Sequence, residues 1–204
     1  WLFAPRHGGA ASAGLEVAGM SHPRFFGYGS LVNLATHDYP DARPARVMGW
    51  RRVWRHTTLR PVAFLSVEPC TQTEIFGVTA SIPGGDWVAL DAREYAYRRH
   101  DVTHQTDPAE MPVSLYAVDP AHENIGPEKG PILLSYVDVV VQGYLRVFGD
   151  EGANSFFATT HNWDIPILDE RAAPVYPRHQ RLETHETEFV DEALSRLGCT
   201  IVKA

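Results

Sequence analysis

The sequence has 204 residues but only two cysteines, Cys70 and Cys199. Two cysteines are too few for a disulfide framework, and neither belongs to the Cys-x-x-Cys pattern of metal and redox sites. This usage favours a protein of the reducing cytoplasm. Because Cys70 has no basic neighbour along the chain that would activate its thiol, we interpret it as a packing or surface residue rather than a nucleophile.

Long apolar stretches are also missing from the chain. No run approaches the roughly eighteen apolar residues that a transmembrane helix needs. The first residues do not show the basic segment followed by an apolar segment that is typical of a secretory signal. The sequence therefore predicts neither a membrane protein nor a secreted one.

Basic residues are scarce relative to acidic ones: 18 Lys and Arg stand against 25 Asp and Glu, giving a net charge of −7. Such a chain lacks the basic surface that nucleic acids and anionic membranes attract. The alternative is a nucleic-acid strip in which Arg51, Arg52 and Arg55 alternate with Trp50 and Trp54. The excess of acidic residues favours a strand with one solvated face instead. A small polar ligand is compatible with the net charge of −7.

Hydrophobic residues make up 44% of the chain and charged residues 21%, which suits one globular domain with a substantial core. Met20-Ser21-His22-Pro23 resembles a natural start directly before the first strand. We therefore expect residues 1–19 to be a non-native or upstream leader, the alternative being a genuine N-terminal arm.

Short strand patterns dominate the first part of the chain. From Val47 to Trp54, the side chains of Met48, Trp50 and Trp54 alternate onto one face, which is typical of a half-buried strand. The tract of residues 69–72 has the length and composition of a hairpin turn. Further strands are predicted over residues 63–67, 73–82 and 114–118.

A glycine-rich loop follows the first predicted strand, in the segment Phe26-Gly27-Tyr28-Gly29-Ser30-Leu31. Glycines on both sides of Tyr28 allow consecutive N–H groups to converge on a carboxylate or carbonyl oxygen. We therefore predict an anion-binding loop in which Ser30 binds rather than attacks, because Tyr28 stands where a nucleophile elbow needs its first glycine. The pattern Gly27-x-Gly29-x-x-Val32 lacks the third glycine of a dinucleotide fingerprint.

A lone glutamate, Glu94, stands in a predicted helix. Asp86 is a favourable N-cap, and residues 87–99 contain neither glycine nor proline. At about 100° per residue, Glu94 falls in the middle of an apolar stripe. The stripe consists of Trp87, Leu90 and Tyr97. A desolvated carboxyl group has a raised pKa and is a usual general acid/base. The alternative is a minor, exposed ion pair with Arg98 at i, i+4.

Two histidines at the end of that helix, His100 and His104, have the i, i+4 spacing of metal ligands and lie near Asp101 and Asp107. Solvated histidines at a helix end explain the spacing equally well. We therefore predict no metal site.

A longer amphipathic pattern begins at Leu133 and continues to Val147, where Gly149 closes it. It places Tyr136 on the inward face, where the residues alone favour a core tyrosine with a satisfied hydroxyl group. A short helix over 152–160 and an irregular, proline-rich segment over 163–178 follow. A last helix is expected from Thr184 to a stop at Gly198. Its buried side is formed by Phe189, Val190, Ala193, Leu194 and Leu197.

The order of these motifs resembles the γ-glutamylcyclotransferase family. The resemblance rests on Tyr28-Gly29-Ser30-Leu31 after the first strand, on Leu90-Asp91-Ala92-Arg93-Glu94 in the first long helix, and on Ser135-Tyr136 further on. It covers the chain from about Arg24 to Gly143. The chain departs from the pattern at Tyr95, where many relatives carry a glycine.

This resemblance implies an α+β fold: a small mixed β-barrel of about five to six strands with packed helices. Residues 20–149 would form the γ-glutamylcyclotransferase-like domain. Residues 150–204 would form a C-terminal helical extension packed on the same domain, and the protein would be a monomer or a homodimer.

The resemblance also implies an activity. The α-amine of a γ-glutamyl substrate would attack its own γ-carbonyl, releasing 5-oxoproline and an amine or amino acid without a cofactor. Glu94 would be the general acid/base. The residues implied to bind the substrate are Phe26, Gly27, Tyr28, Gly29, Ser30, Leu31 and Tyr136. Other γ-glutamyl compounds are alternative substrates, and a catalytically silent module that binds a small metabolite is the alternative function.

Overall fold

The computed structural model describes residues 22–109, 112–127 and 129–204, so the predicted leader over residues 1–19 lies outside the described residues. The strands and helices are, in chain order, β1 (Arg24–Gly27), β2 (Arg43–His56), β3 (Ala63–Ser81), α1 (Val88–Arg93), β4 (Tyr97–Asp101), β5 (Thr106–Asp107), β6 (Val113–Val118), β7 (Ile132–Leu133), α2 (Leu134–Ala158), β8 (Thr160–His161), β9 (Ile167–Asp169), α3 (Thr184–Arg196) and β10 (Ile201–Lys203).

The main sheet has seven strands in the order β4-β6-β1-β3-β2-β5, with β8 paired to β2. β1 is antiparallel to β3 and parallel to β6. Three strands separate β2 from β4, yet the rings of Trp50 and His100 on those strands are 5.5 Å apart. The sheet therefore curls into a half barrel, which confirms the predicted α+β class and the barrel-like sheet.

β2 and β3 form the longest hairpin, and here two predictions are wrong. β3 continues through the tract 69–72 that was expected to turn. The register shifts between Met48 and Trp50, and Gly49 between them has a φ of +90°. This β-bulge turns Met48 outwards, 46% exposed, whereas Trp50 is buried. The two side chains therefore do not share a face.

The helix that was expected over residues 87–99 is also wrong in extent. α1 ends at Arg93, Glu94 is its C-cap, and β4 begins at Tyr97. β4 pairs along its whole length with β6, from Tyr97 opposite Val118 to Asp101 opposite Ser114. Pairing with a strand distant in sequence has prevailed over the local helical pattern. The N-cap of α1 is Trp87, one residue after the predicted Asp86. The side chain of Asp86 accepts from the Val88 N–H at 3.0 Å just before the helix.

α2 is the central helix of the core. Its backbone leaves the helical conformation at Gly149, where φ is +65°, as the sequence predicted. The helix crosses the turn after β1 so closely that a Cβ atom on Gly143 would lie 2.6 Å from the Asn33 nitrogen. The Asn33 amide donates to the carbonyl of Val139 at 2.9 Å. α2 is therefore fixed to the segment that follows the glycine-rich loop.

The C-terminal segment packs against α2. β9 lies between β7 and β10 in a small parallel sheet. α3 buries Val190, Ala193 and Leu194, and a capping box of Glu183 and Glu186 starts it, one residue before the predicted cap. Leu197, which was expected on the buried side, is 45% exposed.

Within the described ranges, no helix combines the length and the apolar character needed to cross a bilayer.

Candidate active site

Two adjoining cavities bring the candidate site residues together. The outer cavity has a volume of about 180 Å³ and the inner one about 30 Å³. Both are lined by Ser30, Leu65, Glu94, Tyr97 and Tyr136. The whole loop from Phe26 to Leu31 lines the inner cavity. All eight residues that the sequence singled out therefore face one continuous space, with Glu94 where its two parts meet.

The loop begins where β1 ends, at Gly27, and continues into a short 3-10 turn over Ser30–Val32. Inside this turn, Val32 N–H donates to the Gly29 carbonyl at 2.9 Å. The N–H groups of Gly29, Ser30 and Leu31 precede that first bond, so the turn itself supplies no acceptor for them. The sequence analysis assigned these donors to an anion. In the structure, the Ser30 backbone forms a hydrogen bond with the Tyr136 hydroxyl.

The two glycines of the loop are required by close packing. A Cβ atom on Gly27 would lie 2.5 Å from the Cβ atom of Leu31, and one on Gly29 would lie 2.7 Å from the Tyr136 hydroxyl oxygen. Neither glycine has a positive φ. Any larger residue at position 29 would therefore push the loop and Tyr136 apart.

Tyr28 and Arg52 fix the loop from behind. The Tyr28 hydroxyl donates to the Tyr116 carbonyl at 2.5 Å, and burial raises the pKa of that hydroxyl. Arg52 is fully buried and donates to the Tyr28 carbonyl at 3.1 Å, and its guanidinium also contacts the Phe76 carbonyl and the Tyr144 hydroxyl. The interpretation of Arg51, Arg52 and Arg55 as one solvated face is therefore wrong for Arg52.

The Glu94 side chain enters the cavity from the end of α1 and is 17% exposed. Burial raises the pKa of its carboxyl group, and the positive charges of Arg93 and Arg178 oppose that rise. The alternative pairing with Arg98 is wrong, because Arg98 contacts Asp119 at 3.2 Å. Glu94 is thus a partly desolvated carboxyl group with two arginines nearby, in a cavity rich in tyrosine.

Arg93 connects Glu94 to the loop, and sequence reasoning missed it. Its Nε atom lies 3.3 Å from Glu94 Oε1, and its Nη2 atom donates to Ser30 Oγ at 3.3 Å. The same side chain donates to the Thr36 carbonyl at 3.1 Å and is 9% exposed. The carboxyl group and the glycine-rich loop are therefore held in a fixed relation.

Tyr136 lies in the first turn of α2 and faces the cavity, as the periodicity indicated. Its ring packs edge-to-face against Trp54 at 5.9 Å and Tyr176 at 5.0 Å. Burial raises the pKa of its hydroxyl well above the usual range, although a hydrogen bond from the Ser30 backbone opposes the rise. The hydroxyl therefore stays protonated and able to donate.

One wall of the outer cavity, the C-terminal wall, comes from the C-terminal segment, and none of its residues was predicted to line the site. It consists of Val175, Tyr176, Pro177 and Arg178. The buried carboxylate of Glu170 accepts from the Ser135 N–H at 3.1 Å, and the Tyr176 N–H reaches Ser135 Oγ at 3.4 Å. These contacts hold the segment to the start of α2, directly beside Tyr136.

The metal alternative rested on a helix that does not exist at that position. His100 lies in β4 and His104 in a 3-10 turn, so they do not share a helical face. Among the residues that the structure describes, no group of three or more His, Cys, Asp or Glu side chains is placed to hold a metal ion.

Solved structures share this fold. The chain superposes on a γ-glutamyl cyclotransferase with a TM-score of 0.51 at 13% identity, covering 83% of this chain and 98% of that one. The uncharacterized human protein loc79017 gives 0.53 at 13%, covering 82% and 97%. YkqA from Bacillus subtilis gives 0.50 at 16%, covering 69% and 56%.

No model of a protein family and no curated protein matches the chain. The structural likeness confirms the fold that the motif order implied, which is the γ-glutamyl cyclotransferase fold.

Proposed function

We propose that this protein is an enzyme that cleaves a γ-glutamyl amide and releases 5-oxoproline with an amine or amino acid. One observation carries the proposal. Glu94 and the loop from Phe26 to Leu31 line the same cavity, and Arg93 contacts both. A carboxyl group and a set of backbone donors facing one small space are the parts that an intramolecular aminolysis needs.

The reaction begins with a proton transfer to Glu94. The substrate's α-ammonium group loses a proton to the carboxylate, and the free amine attacks the γ-carbonyl carbon of the same molecule. A five-membered ring closes and the carbonyl oxygen takes up negative charge. Glu94 then gives this proton to the leaving nitrogen, and the amide C–N bond breaks. The ring nitrogen still carries a second proton, which passes through the freed carboxylate to the released amine, so that 5-oxoproline and an ammonium ion form. One carboxyl group between the two nitrogens serves both transfers.

The loop binds the γ-glutamyl group and stabilises the charge on the oxygen. The N–H groups of Gly29 and Leu31 are the donors, and they cost no reorganisation because Arg52 and Tyr28 already fix the loop. The protonated Tyr136 hydroxyl adds a donor beside Gly29. Folding a flexible substrate into a ring-closing geometry is the second task of this rigid surface.

The second candidate function is a binding module without catalysis, in which Glu94 only forms an ion pair. The 3.3 Å contact between Arg93 and Glu94 favours it, and the same fold can host unrelated functions. The purified protein is therefore tested with γ-glutamyl amino acids, glutathione and γ-glutamylamines, and 5-oxoproline is measured by mass spectrometry. Turnover of any one supports the enzyme, and ligand binding without turnover across the panel supports the binding module.

A further inference from the structure

The outer cavity carries an excess of positive charge in an acidic protein. Three arginines line it, Arg60, Arg93 and Arg178, against the single carboxyl group of Glu94. Arg93 is occupied by Glu94, Ser30 and Thr36. The chain as a whole has a net charge of −7. The cluster of arginines at this cavity therefore does not follow from the overall charge of the protein.

Arg60 and Arg178 are exposed and line the cavity from two segments that are far apart in the sequence. Arg60 belongs to the loop between β2 and β3, and Arg178 belongs to the C-terminal wall. Over residues 22–109, 112–127 and 129–204, neither guanidinium group forms a hydrogen bond or an ion pair within 4.0 Å. Arg178 is near enough for its charge to lower the pKa of Glu94. Both guanidinium groups are available to an anion that enters the cavity.

The walls between the two arginines are largely apolar or aromatic. They are formed by Val62, Phe64, Tyr97, Val175, Tyr176 and Pro177. Tyr176 is held by its ring contact with Tyr136 at 5.0 Å, so this surface is fixed. An apolar slot with a cationic mouth matches an amino acid that has an apolar side chain and a free carboxylate.

The position of Glu94 determines which part of a bound substrate lies in the apolar part of the outer cavity. On the proposed function, the γ-glutamyl group lies against the loop in the inner cavity and the scissile nitrogen lies at Glu94. The leaving group then extends into the outer cavity, because Glu94 lines both. A leaving amine without a carboxylate would place nothing anionic near Arg60 and Arg178.

We propose that Arg178, supported by the charge of Arg60, binds a carboxylate on the leaving group, so that γ-glutamyl derivatives of apolar amino acids are preferred over γ-glutamylamines. The inference rests on the proposed function for the orientation of the substrate. Arg178 carries the larger effect because it is the arginine whose charge reaches Glu94. A guanidinium and a carboxylate form a paired, charge-assisted contact that a lysine does not reproduce.

Two ligands that differ in one group test this directly: γ-glutamylphenylalanine and γ-glutamylphenethylamine, which lacks the carboxylate. Binding is measured by isothermal titration calorimetry on Glu94→Gln protein, so that turnover does not interfere. We expect the phenylalanine compound to bind about tenfold more tightly, and the preference to fall with added salt because the mouth is exposed. In Arg178→Gln the ratio of the two Kd values falls to near one, and in Arg60→Gln it falls partway.

Arg196→Gln is the matched control, since Arg196 is an exposed arginine on α3 that does not line the cavity. It should keep the full preference. Equal affinity of the parent protein for the two ligands, an intact preference in Arg178→Gln, or no binding of either ligand would each overturn the carboxylate subsite.

Failure of the reaction and failure of the subsite are separable. Arg178-dependent binding without 5-oxoproline from wild-type protein would reject the reaction and keep the subsite. Equal kcat/KM values for the two compounds in wild-type protein would keep the reaction and reject the subsite.

Discussion

The Nε atom of Arg93 lies 3.3 Å from Oε1 of Glu94, although the two residues are neighbours at the end of a six-residue helix. The helix ends at Glu94, so both side chains face the glycine-rich loop. In a continuing helix, two neighbouring residues would point to different sides. The contact joins the candidate acid/base to Ser30 of the loop through Arg93.

The first prediction concerns the pH dependence of Arg93→Gln. Burial raises the pKa of Glu94 and Arg93 is the largest influence that lowers it. Without the guanidinium, the pKa rises further, so the acidic limb of the kcat/KM profile moves to higher pH. A pH series of 5-oxoproline formation measures the shift. An acidic limb that stays in place, or moves to lower pH, would show that Arg93 does not tune Glu94.

The same change should also weaken substrate binding. Arg93 donates to Ser30 and Thr36, so its loss removes support from the loop that would hold the γ-glutamyl group. KM should rise at the pH optimum. Arg98→Gln is the matched control, because Arg98 is an exposed arginine nearby that pairs with Asp119 outside the cavity. Its pH profile and KM should equal those of the wild-type protein.

The second prediction concerns the contact between Gly29 and Tyr136. A Cβ atom at position 29 would lie 2.7 Å from the Tyr136 hydroxyl oxygen, so Gly29→Ala should lower the free energy of unfolding by about 1–3 kcal/mol. Removing that oxygen with Tyr136→Phe relieves the clash. The double variant should therefore be more stable than the sum of the single losses predicts. Urea denaturation of the four proteins gives the coupling, and strict additivity would contradict the packing argument.

The third prediction concerns the buried Arg52. In Arg52→Met the carbonyls of Tyr28 and Phe76 lose a buried donor, which should cost about 2–5 kcal/mol of stability and loosen the loop. Arg51→Met is the neighbouring control. Arg51 pairs with Glu68 on the outer face with 36% of its side chain exposed, so its loss should cost less than about 1 kcal/mol. Equal losses in the two variants would contradict the role given to Arg52.

Local signals predicted some elements well. α2 and α3 have strong apolar periodicity. Gly149, where α2 leaves the helical conformation, and Gly198, just after α3, both have positive φ. Apolar periodicity and glycine caps depend on residues that are close together along the chain, so they can be recognised in a single sequence. The glycine-rich loop was predicted for the same reason. Its glycines serve close packing against Leu31 and Tyr136, which the sequence pattern does not reveal.

Elements that depend on distant partners were predicted less well. α1 ends early because residues 97–101 pair with β6. β3 runs through Pro69, which sits opposite Trp50 beside the bulge at Gly49, a place where a strand tolerates proline. Neither the bulge nor the pairing is visible in the residues of one strand alone.

The candidate site shows the same difference between local signals and long-range contacts. Glu94, the loop and Tyr136 were recognised as a set through the order of motifs. The C-terminal wall was not, because it is placed by long-range contacts such as the ion pairs of Arg171 with Asp138 and Asp191, each at 2.7 Å. Nothing in the proline-rich composition of residues 163–178 indicates that it closes a cavity.

The fourth prediction tests the central claim most directly: 5-oxoproline formation by Glu94→Gln. Wild-type protein, Glu94→Gln and the control Glu192→Gln, an exposed glutamate on α3, are incubated with the best substrate of the panel. Circular dichroism and thermal unfolding verify that each is folded. We expect Glu192→Gln to match wild type and Glu94→Gln to lose about 10²–10⁴-fold in rate, because an amide cannot carry the proton between the two nitrogens. Wild-type turnover by a folded Glu94→Gln protein would contradict the account.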